Sequence, residues 1–415
     1  MSFRSVFRHR PFATMWLGLL LGQIATQTQS VAIGWSVYTL SRQTYDERES
    51  MFLVGMIGLA QFLPMFALTP LAGETADRYD RRQIRFACMI LQALCAAAFT
   101  FLSLSAHPSL KMIFVVAGLY GVARAFGMPA SASLVPALVP SSVLPKAIAW
   151  NTLGGQVGRI AGPWIGGVLC AINPTFANAF ACAVYILVGL TCILLLRMPI
   201  DAKPKHNGTP RLIMIKEGMI HLRDSKIVLG AISLDLFAVL LGGVTALLPA
   251  YAKDVLDIGP EGFGNLRSSF AVGAGLMTLC LALHPITRHA GKWMLGGVAA
   301  YGVATLCFAF SRNVDLSLLV LAVAGAADSV SVFVRQSLVQ IATPDAMRGR
   351  VSSVSSLFIS ASNELGEFES GVAARFLGVV GAAVFGGAGA IVVTCLSLRL
   401  FPALRKADRL VPIER

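Results

Sequence analysis

Long apolar runs separated by short polar turns extend from Phe12 to Leu400. Each run has about 20 residues or more, enough for an α-helix to cross the roughly 30 Å hydrocarbon core of a bilayer. The pattern predicts an all-α membrane protein with twelve transmembrane helices. The predicted spans lie at roughly 12–40, 50–76, 84–106, 111–136, 145–170, 174–197, 227–251, 263–284, 292–311, 316–341, 350–374 and 376–400.

The composition agrees with this class of protein. With 56% hydrophobic and 13% charged residues in 415, the chain has too little polar surface to cover a soluble body of this size. Most of the 34 Lys and Arg residues fall in segments on one side of the predicted membrane. This asymmetry follows the positive-inside rule and predicts that both termini are cytoplasmic. It also explains the net charge of +13 without a nucleic-acid partner.

Residue types that carry catalysis or bind metals show no suitable pattern. All eight cysteines lie singly within predicted spans, without a CxxC pair. There is no Ser/His/Asp order, zinc-ligand spacing or ATP-binding Walker loop. We therefore expect no enzyme activity, no metal and no cofactor. The expected partners are a small-molecule substrate and membrane lipids, with the chain acting as a monomer.

A long polar interruption divides the predicted spans into six and six. The predicted organisation is an N-terminal half at 1–197, a cytoplasmic linker at 198–226, a C-terminal half at 227–400 and a cytoplasmic tail at 401–415. In the second part of the linker, apolar and charged residues alternate. This pattern suits an amphipathic helix on the inner membrane surface, and a disordered basic loop is the alternative.

The two halves show an internal repeat. Residues 133–147 align without a gap over residues 337–351, and the same offset places Arg124 opposite Asp328. A repeat of this kind predicts two pseudo-symmetric six-helix halves with the substrate path between them, near the middle of the membrane.

The turn after the second span carries a motif. It reads "GETADRYDRRQIR" and includes Gly73, Asp77, Arg78, Arg81 and Arg82. The motif resembles the G-x-x-x-D-R-x-x-R-R signature of the major facilitator superfamily, at the place where that family has it. The resemblance implies the family's twelve-helix fold and a latch that closes the cytoplasmic side while the substrate path opens outward.

A second resemblance covers spans four and five. Residues 124–167 are similar to the drug-efflux group that includes enterobactin exporters and macrolide efflux pumps. This resemblance implies proton-coupled efflux of a small amphipathic molecule, siderophore-like or drug-like, across the bacterial inner membrane. Small residues in this segment, typical of close helix packing, are Gly158, Gly162, Pro163, Gly166 and Gly167.

Charged residues inside predicted spans are costly in lipid and are the first candidates for function. From the helical rise, Arg124 and Asp328 lie roughly 18 Å deep, Asp235 about 12 Å and Arg159 about 21 Å. Arg124 and Asp328 either pair, bind charged parts of the cargo, or serve as structural ion-pair members. Arg335 is expected to extend to the inner interface, with Asp328 as a local partner on the same helix face.

Three glutamates crowd the eleventh span. Glu364 and Glu367 share a helix face and are expected to point to the substrate path or another helix, whereas Glu369 is expected at the outer interface near Arg375. An antiporter needs a carboxylate that binds and releases a proton, the expected coupling ion. The candidates are Asp235, Asp328, Glu364 and Glu367. Gln27 in the first span is a candidate for neutral hydrogen bonding to the cargo.

Other functions stay open at this point. The same fold can import such a molecule or flip a lipid, because alternating access does not encode a direction. A receptor or scaffold without turnover is a further alternative, but it gains nothing from costly charges inside the spans.

Overall fold

The computed structural model describes residues 4–105, 108–198 and 211–405. These residues form helices and turns, and they contain no β-strand. Helices are the expected result, because a helix satisfies its own backbone hydrogen bonds where no water is present. In chain order they are α1 (Arg4–Phe7), α2 (Arg10–Ser41), α3 (Glu47–Arg78), α4 (Arg81–Leu104), α5 (Leu110–Leu134), α6 (Leu144–Ile172), α7 (Pro174–Leu196), α8 (Arg211–Asp224), α9 (Lys226–Leu241), α10 (Val244–Ala250), α11 (Gly259–Leu283), α12 (Ala290–Phe310), α13 (Val314–Ala342), α14 (Asp345–Leu400) and α15 (Pro402–Arg405).

In the described part of the chain, nine helical segments are long and apolar enough to cross a membrane. They are α3, α4, α5, α7, α9 with α10, α11, α12, α13 and α14. The predicted first and fifth spans coincide with α2 and α6, which have 32 and 29 residues. The predicted last two spans share α14, which is interrupted at Gly378, where φ is 74°. The all-helical fold is confirmed, and the count of twelve spans stays a prediction.

The chain packs as two compact units. Unit 1 comprises Met1–Leu40, Ala60–Gly208 and Gly259–Ser268, and unit 2 comprises Ser41–Leu59, Thr209–Ile258 and Ser269–Arg415. Each unit therefore contains most of one predicted half together with a short segment of the other. The division into two six-helix halves, with boundaries at 197 and 226, stays a prediction.

Unit 1 is built around α4, which packs against α5 and α7. Phe12, Met15, Leu134 and Leu195 are among the buried residues of one apolar cluster, with Trp16 and Trp150 packed against it. Small residues on α6 allow a close approach to α2, as described below. Close packing through small residues is typical of membrane helices, because lipid offers no hydrophobic driving force between them.

In unit 2, α12 packs against α13 and α14, and α9 packs against α14. One apolar cluster of this unit includes Leu234, Met294 and Val334. The second part of the predicted linker forms α8. The α8 residue Leu222 is buried in a separate cluster with Val351, so α8 is docked on the beginning of α14.

The predicted seventh span is not one continuous helix. It ends at Leu241 and resumes at Val244, with Gly242 and Gly243 between. The Tyr301 hydroxyl donates to the Gly242 carbonyl, and the Ser370 hydroxyl donates to the Gly243 carbonyl at 3.2 Å. A Cβ atom on Gly243 would lie 2.5 Å from Ser370 Oγ. The same carbonyls also accept from the backbone N–H groups of Val244 and Ala246, at 2.6 Å and 3.0 Å. Side chains from α12 and α14 thus add hydrogen bonds at the break, and a glycine is required where they approach.

Candidate functional site

Three hydroxyl groups form a closed ring of hydrogen bonds inside unit 1. Tyr120 OH lies 2.9 Å from Tyr185 OH and 3.3 Å from Thr26 Oγ1, and Thr26 Oγ1 lies 3.2 Å from Tyr185 OH. The residues come from α5, α7 and α2. Both tyrosines are buried, with exposed fractions of 4% for Tyr120 and 0% for Tyr185. We call Thr26, Tyr120 and Tyr185 the hydroxyl ring.

Arg124 lies beside the hydroxyl ring. It is half-buried on α5, and its Nη1 donates to Gln61 Oε1 of α3 at 3.1 Å. It follows Tyr120 of the ring by one turn of α5, so the two side chains share a helix face. The sequence predicted Arg124 as a site residue but missed Gln61, Tyr120 and Tyr185. The spacing of Tyr120 and Arg124, four residues apart on one helix face, was the available signal.

Gln27 lies where α2 crosses α6. A Cβ atom on Gly162 would lie 2.5 Å from the Gln27 Cβ and 2.9 Å from the Ile24 carbonyl. The Thr28 hydroxyl donates to the Gly162 carbonyl at 2.9 Å. Contacts of this closeness leave no room for a side chain at position 162.

Further small residues of α6 continue this close packing. Gly158 faces Gln23, and Gly166 faces the Thr28 carbonyl and Val31. Gly167 instead faces α11, where its Cβ position lies 2.9 Å from the Gly264 Cα. Pro163 is buried on the same helix, and its carbonyl lies next to Gly264.

Arg159 differs from these buried neighbours on α6. Its side chain is exposed, and among the described residues of unit 1 no ion pair or hydrogen bond joins it to another predicted site residue.

Unit 2 contains an ion pair that is buried between two helices. Arg335 Nε of α13 lies 3.2 Å from Asp235 Oδ1 of α9, and the side chains are 3% and 6% exposed. The expectation that Arg335 extends to the inner interface is therefore wrong. Extension to the interface suits an arginine without a local anion, whereas Asp235 compensates this one inside the helix packing.

Asp328 is half-buried on α13, which packs against α12. Tyr301 of α12 is the residue that donates to the Gly242 carbonyl at the break between α9 and α10. The predicted midplane acid thus lies on the helix next to the one that contacts the broken span.

Two of the three glutamates of α14 lie at one helix crossing. Glu364 is buried and Glu367 is half-buried, both where α14 crosses α3. At this crossing, a Cβ atom on Gly58 would lie 2.9 Å from the Glu364 carbonyl and 3.0 Å from the Glu367 Cβ. The contact places the Glu367 side chain against α3, and for Glu364 it involves the backbone carbonyl alone, so the roles predicted for both residues stay predictions.

Arg375, which the sequence places near Glu369, forms an ion pair with another glutamate. Arg375 Nε lies 3.1 Å from Glu49 Oε2, and its guanidinium lies 4.6 Å from the ring centre of Phe52. Glu369 Oε2 is covered and has no hydrogen-bond partner among the described residues. The first turns of α3 thus provide Arg375 with an anion and an aromatic face that helix periodicity could not indicate.

The predicted latch motif lies at the turn between α3 and α4. Gly73 is buried, and the Asp77 side chain lies outside the described part of the structure. Arg78 Nη2 lies 2.5 Å from Glu74 Oε1, and Arg81 Nε donates to the Ala76 carbonyl at 3.5 Å. These contacts stay within the motif itself.

Arg82 connects the motif to α7. It donates from Nη1 to the carbonyls of Leu195 and Met198 at 3.1 Å and 3.0 Å, and its Nη2 lies 2.7 Å from Asp80 Oδ2. Asp80 also caps α4 by accepting from the Arg82 backbone N–H at 2.9 Å. Burial raises the pKa of the Asp80 carboxyl, but the hydrogen bonds and charge of Arg82 outweigh it, and the pKa lies below its ordinary value.

Comparison with known proteins gives a match along the whole chain. A family model described as transmembrane secretion effector matches residues 2–414. The enterobactin exporter EntS of Salmonella choleraesuis (strain SC-B67) is 24% identical over 417 residues, which cover 100% of this chain and 95% of that protein. The enterobactin exporter EntS of Shigella boydii serotype 18 is 26% identical over 394 residues, which cover 94% and 86%.

A solved structure shows the same fold. The inward-open conformation of the xylose transporter XylE from E. coli matches with a TM-score of 0.72 and covers 96% of this chain and 98% of that one. At 14% sequence identity, this similarity concerns the fold alone.

Proposed function

The chain belongs to the transmembrane secretion effector family of the major facilitator superfamily, and we propose that it exports a small amphipathic molecule in exchange for protons. It is a secondary transporter and a multi-pass membrane protein, as are the transporters it resembles over its whole length. The observation that carries the proposed direction is the end-to-end similarity to proteins named as exporters. By the same similarity, the cargo is siderophore-like or drug-like and the membrane is the bacterial inner membrane, with both termini in the cytoplasm.

The proposed cargo path uses the polar groups of the spans. In unit 1, Arg124 donates to Gln61 near the middle of α5, one helical turn from the hydroxyl ring, where a cation can bind an anionic or electron-rich group. Gln27 and Arg159 are the further candidates of that unit. Alternating access then moves residues 1–197 against residues 227–400 around the bound molecule.

Four carboxylates are candidates for proton transfer, and the packing ranks them. Asp235 is engaged by Arg335, so protonating it leaves a buried cation without its partner. Glu364 and Glu367 lie at a close helix crossing. Asp328 is half-buried on α13, which packs against the helix of Tyr301, the residue that contacts the broken seventh span. We therefore place Asp328 first, because it is only half-buried and its helix packs against the one that contacts the interrupted span.

Two motifs have supporting roles in this proposal. Gly73, Asp77, Arg78, Arg81 and Arg82 latch the cytoplasmic side. The α6 residues Gly158, Gly162, Pro163, Gly166 and Gly167 allow α6 to pack closely on its neighbours, which the short contacts of Gly162 support.

Purified protein in proteoliposomes tests the proposal, with enterobactin and the cation ethidium as probe cargoes. With an acidic interior, cargo is expected to enter as protons leave, and to stop when a protonophore removes the gradient. Asp328→Asn is expected to abolish the response to the gradient. Asp315→Asn, on the exposed first turn of the same helix, is the matched control and should behave as native. Native protein that moves neither probe in response to the gradient would contradict the proposal.

A further inference from the structure

We infer that the hydroxyl ring positions Arg124 for the cargo, which makes Thr26, Tyr120 and Tyr185 positioning residues of the transport site. The inference rests on the proposed function, because it takes Arg124 to contact the cargo. It goes beyond that function by assigning a role to three neutral side chains.

The three hydroxyl groups of the ring satisfy one another's hydrogen-bond donors. Each hydroxyl has one proton to donate and can accept, so three hydroxyls in mutual contact satisfy three donors with three bonds. A buried hydroxyl left without a partner costs free energy, so removing one member affects the other two. The ring thereby connects α2, α5 and α7 at one level of unit 1.

The ring acts on Arg124 through the face of α5 that the two share. Tyr120 precedes Arg124 by one helical turn, so fixing the Tyr120 side chain fixes the orientation of that face of α5. The Arg124 guanidinium itself donates to Gln61 Oε1 of α3 at 3.1 Å.

The chemistry of the ring matters for recognition. Hydroxyl groups orient a guanidinium without cancelling its charge, which a carboxylate in the same place would do. The arrangement therefore suits a cargo with an anionic or hydrogen-bond-accepting group, and the position of that group is set by how firmly Arg124 is held.

The test removes single hydroxyls and keeps the side-chain shapes. Thr26→Val and Tyr185→Phe each delete one ring hydroxyl, whereas Thr26→Ser keeps it. Tyr251→Phe is the matched control, because Tyr251 is also fully buried and donates one hydrogen bond, to the Ala309 carbonyl in unit 2. Thermal unfolding of all variants reports any general loss of stability.

Two readouts separate positioning from stability. The first is the rate at which phenylglyoxal modifies Arg124, measured by peptide mass spectrometry relative to the exposed Arg375, and it needs no cargo. The second is the KM for enterobactin in proteoliposomes. We expect Thr26→Val and Tyr185→Phe to speed Arg124 modification and raise KM roughly 3- to 10-fold, the effect of losing about one hydrogen bond, with kcat little changed.

Thr26→Ser and Tyr251→Phe should match the native protein in both readouts. Unchanged modification of Arg124 in the two ring variants would overturn the inference. Faster modification with an unchanged KM would also overturn it, because Arg124 would then be held for some purpose other than the cargo. Failure of the proposed function has a different signature, since native protein would then move no enterobactin while the modification rates still report on the ring.

Discussion

Asp235 and Arg335 join α9 to α13 by an ion pair of 3.2 Å, with both side chains almost completely buried. Removing two charges from water is costly, and the pair compensates each member only while the other is present. The two helices are therefore connected by a contact that tolerates the loss of both charges better than the loss of one.

Asp235→Asn should destabilise the protein by about 3–5 kcal/mol, because it leaves the Arg335 cation buried without its anion. The double variant Asp235→Leu/Arg335→Met should recover most of that loss. Thermal unfolding in detergent measures both. A single variant as stable as the native protein would show that the pair does not connect the helices as described.

Gly162→Ala should destabilise the packing of α6 on α2 by roughly 1–3 kcal/mol, because the new methyl group meets Gln27 and a backbone carbonyl that cannot move alone. Gly155→Ala is the matched control on the same helix, because nothing lies within 4 Å of its Cβ position. The measurement is the folded yield and the unfolding temperature of each variant. Equal losses for the two variants would refute the crossing as the cause.

Asp80→Ala should destabilise the protein at neutral pH by about 0.5–2 kcal/mol through loss of the α4 cap. Asp80→Asn keeps a capping oxygen but not the charge, so it should lose less. Because the folded pKa lies below the ordinary value of 3.8, the contribution of the charge is present above that value and lost as pH falls through the folded pKa. The unfolding midpoints of the native protein and the Asp80→Asn variant, measured between neutral and acidic pH, should therefore converge only at the acidic end. A difference that stays constant down to the acidic end would contradict a role for the charge.

Gly218→Leu should release α8 from α14, because a side chain there meets the Arg350 carbonyl and Val354. Glu217→Gln should have a smaller effect. Its ion pair with Arg350 is 2.6 Å long but partly exposed, and such a pair contributes about 1 kcal/mol or less. Hydrogen–deuterium exchange of α8 is the measurement, with the exposed Met219→Ala as control. Unchanged exchange after Gly218→Leu would contradict the docking.

The apolar pattern located the helices well, because crossing lipid leaves the backbone few alternatives. Depth along each helix likewise selected Arg124, Asp235 and Asp328. These are properties of one helix at a time, and a single sequence contains them.

Side-chain contacts between different helices could not be predicted in the same way. Arg335 is expected at the interface from the sequence because the candidate anion on its own helix is Asp328. Its partner in the structure, Asp235, lies about 100 residues earlier, on α9. Tyr185 looked like an ordinary apolar-span residue, and only the approach of α2 and α5 gives its hydroxyl two partners. The break at Gly242 likewise depends on side chains from α12 and α14.

That break changes what the seventh predicted span can do mechanically. In an ordinary helix, bending breaks backbone hydrogen bonds, and in lipid each lost bond costs several kcal/mol. Here the Gly242 and Gly243 carbonyls accept from the Tyr301 and Ser370 side chains in addition to the nearby backbone N–H groups of Val244 and Ala246. α9 and α10 are therefore two separate helices joined by a glycine pair. Bending the chain between them breaks fewer backbone hydrogen bonds than bending a continuous helix, so the pair can act as a hinge.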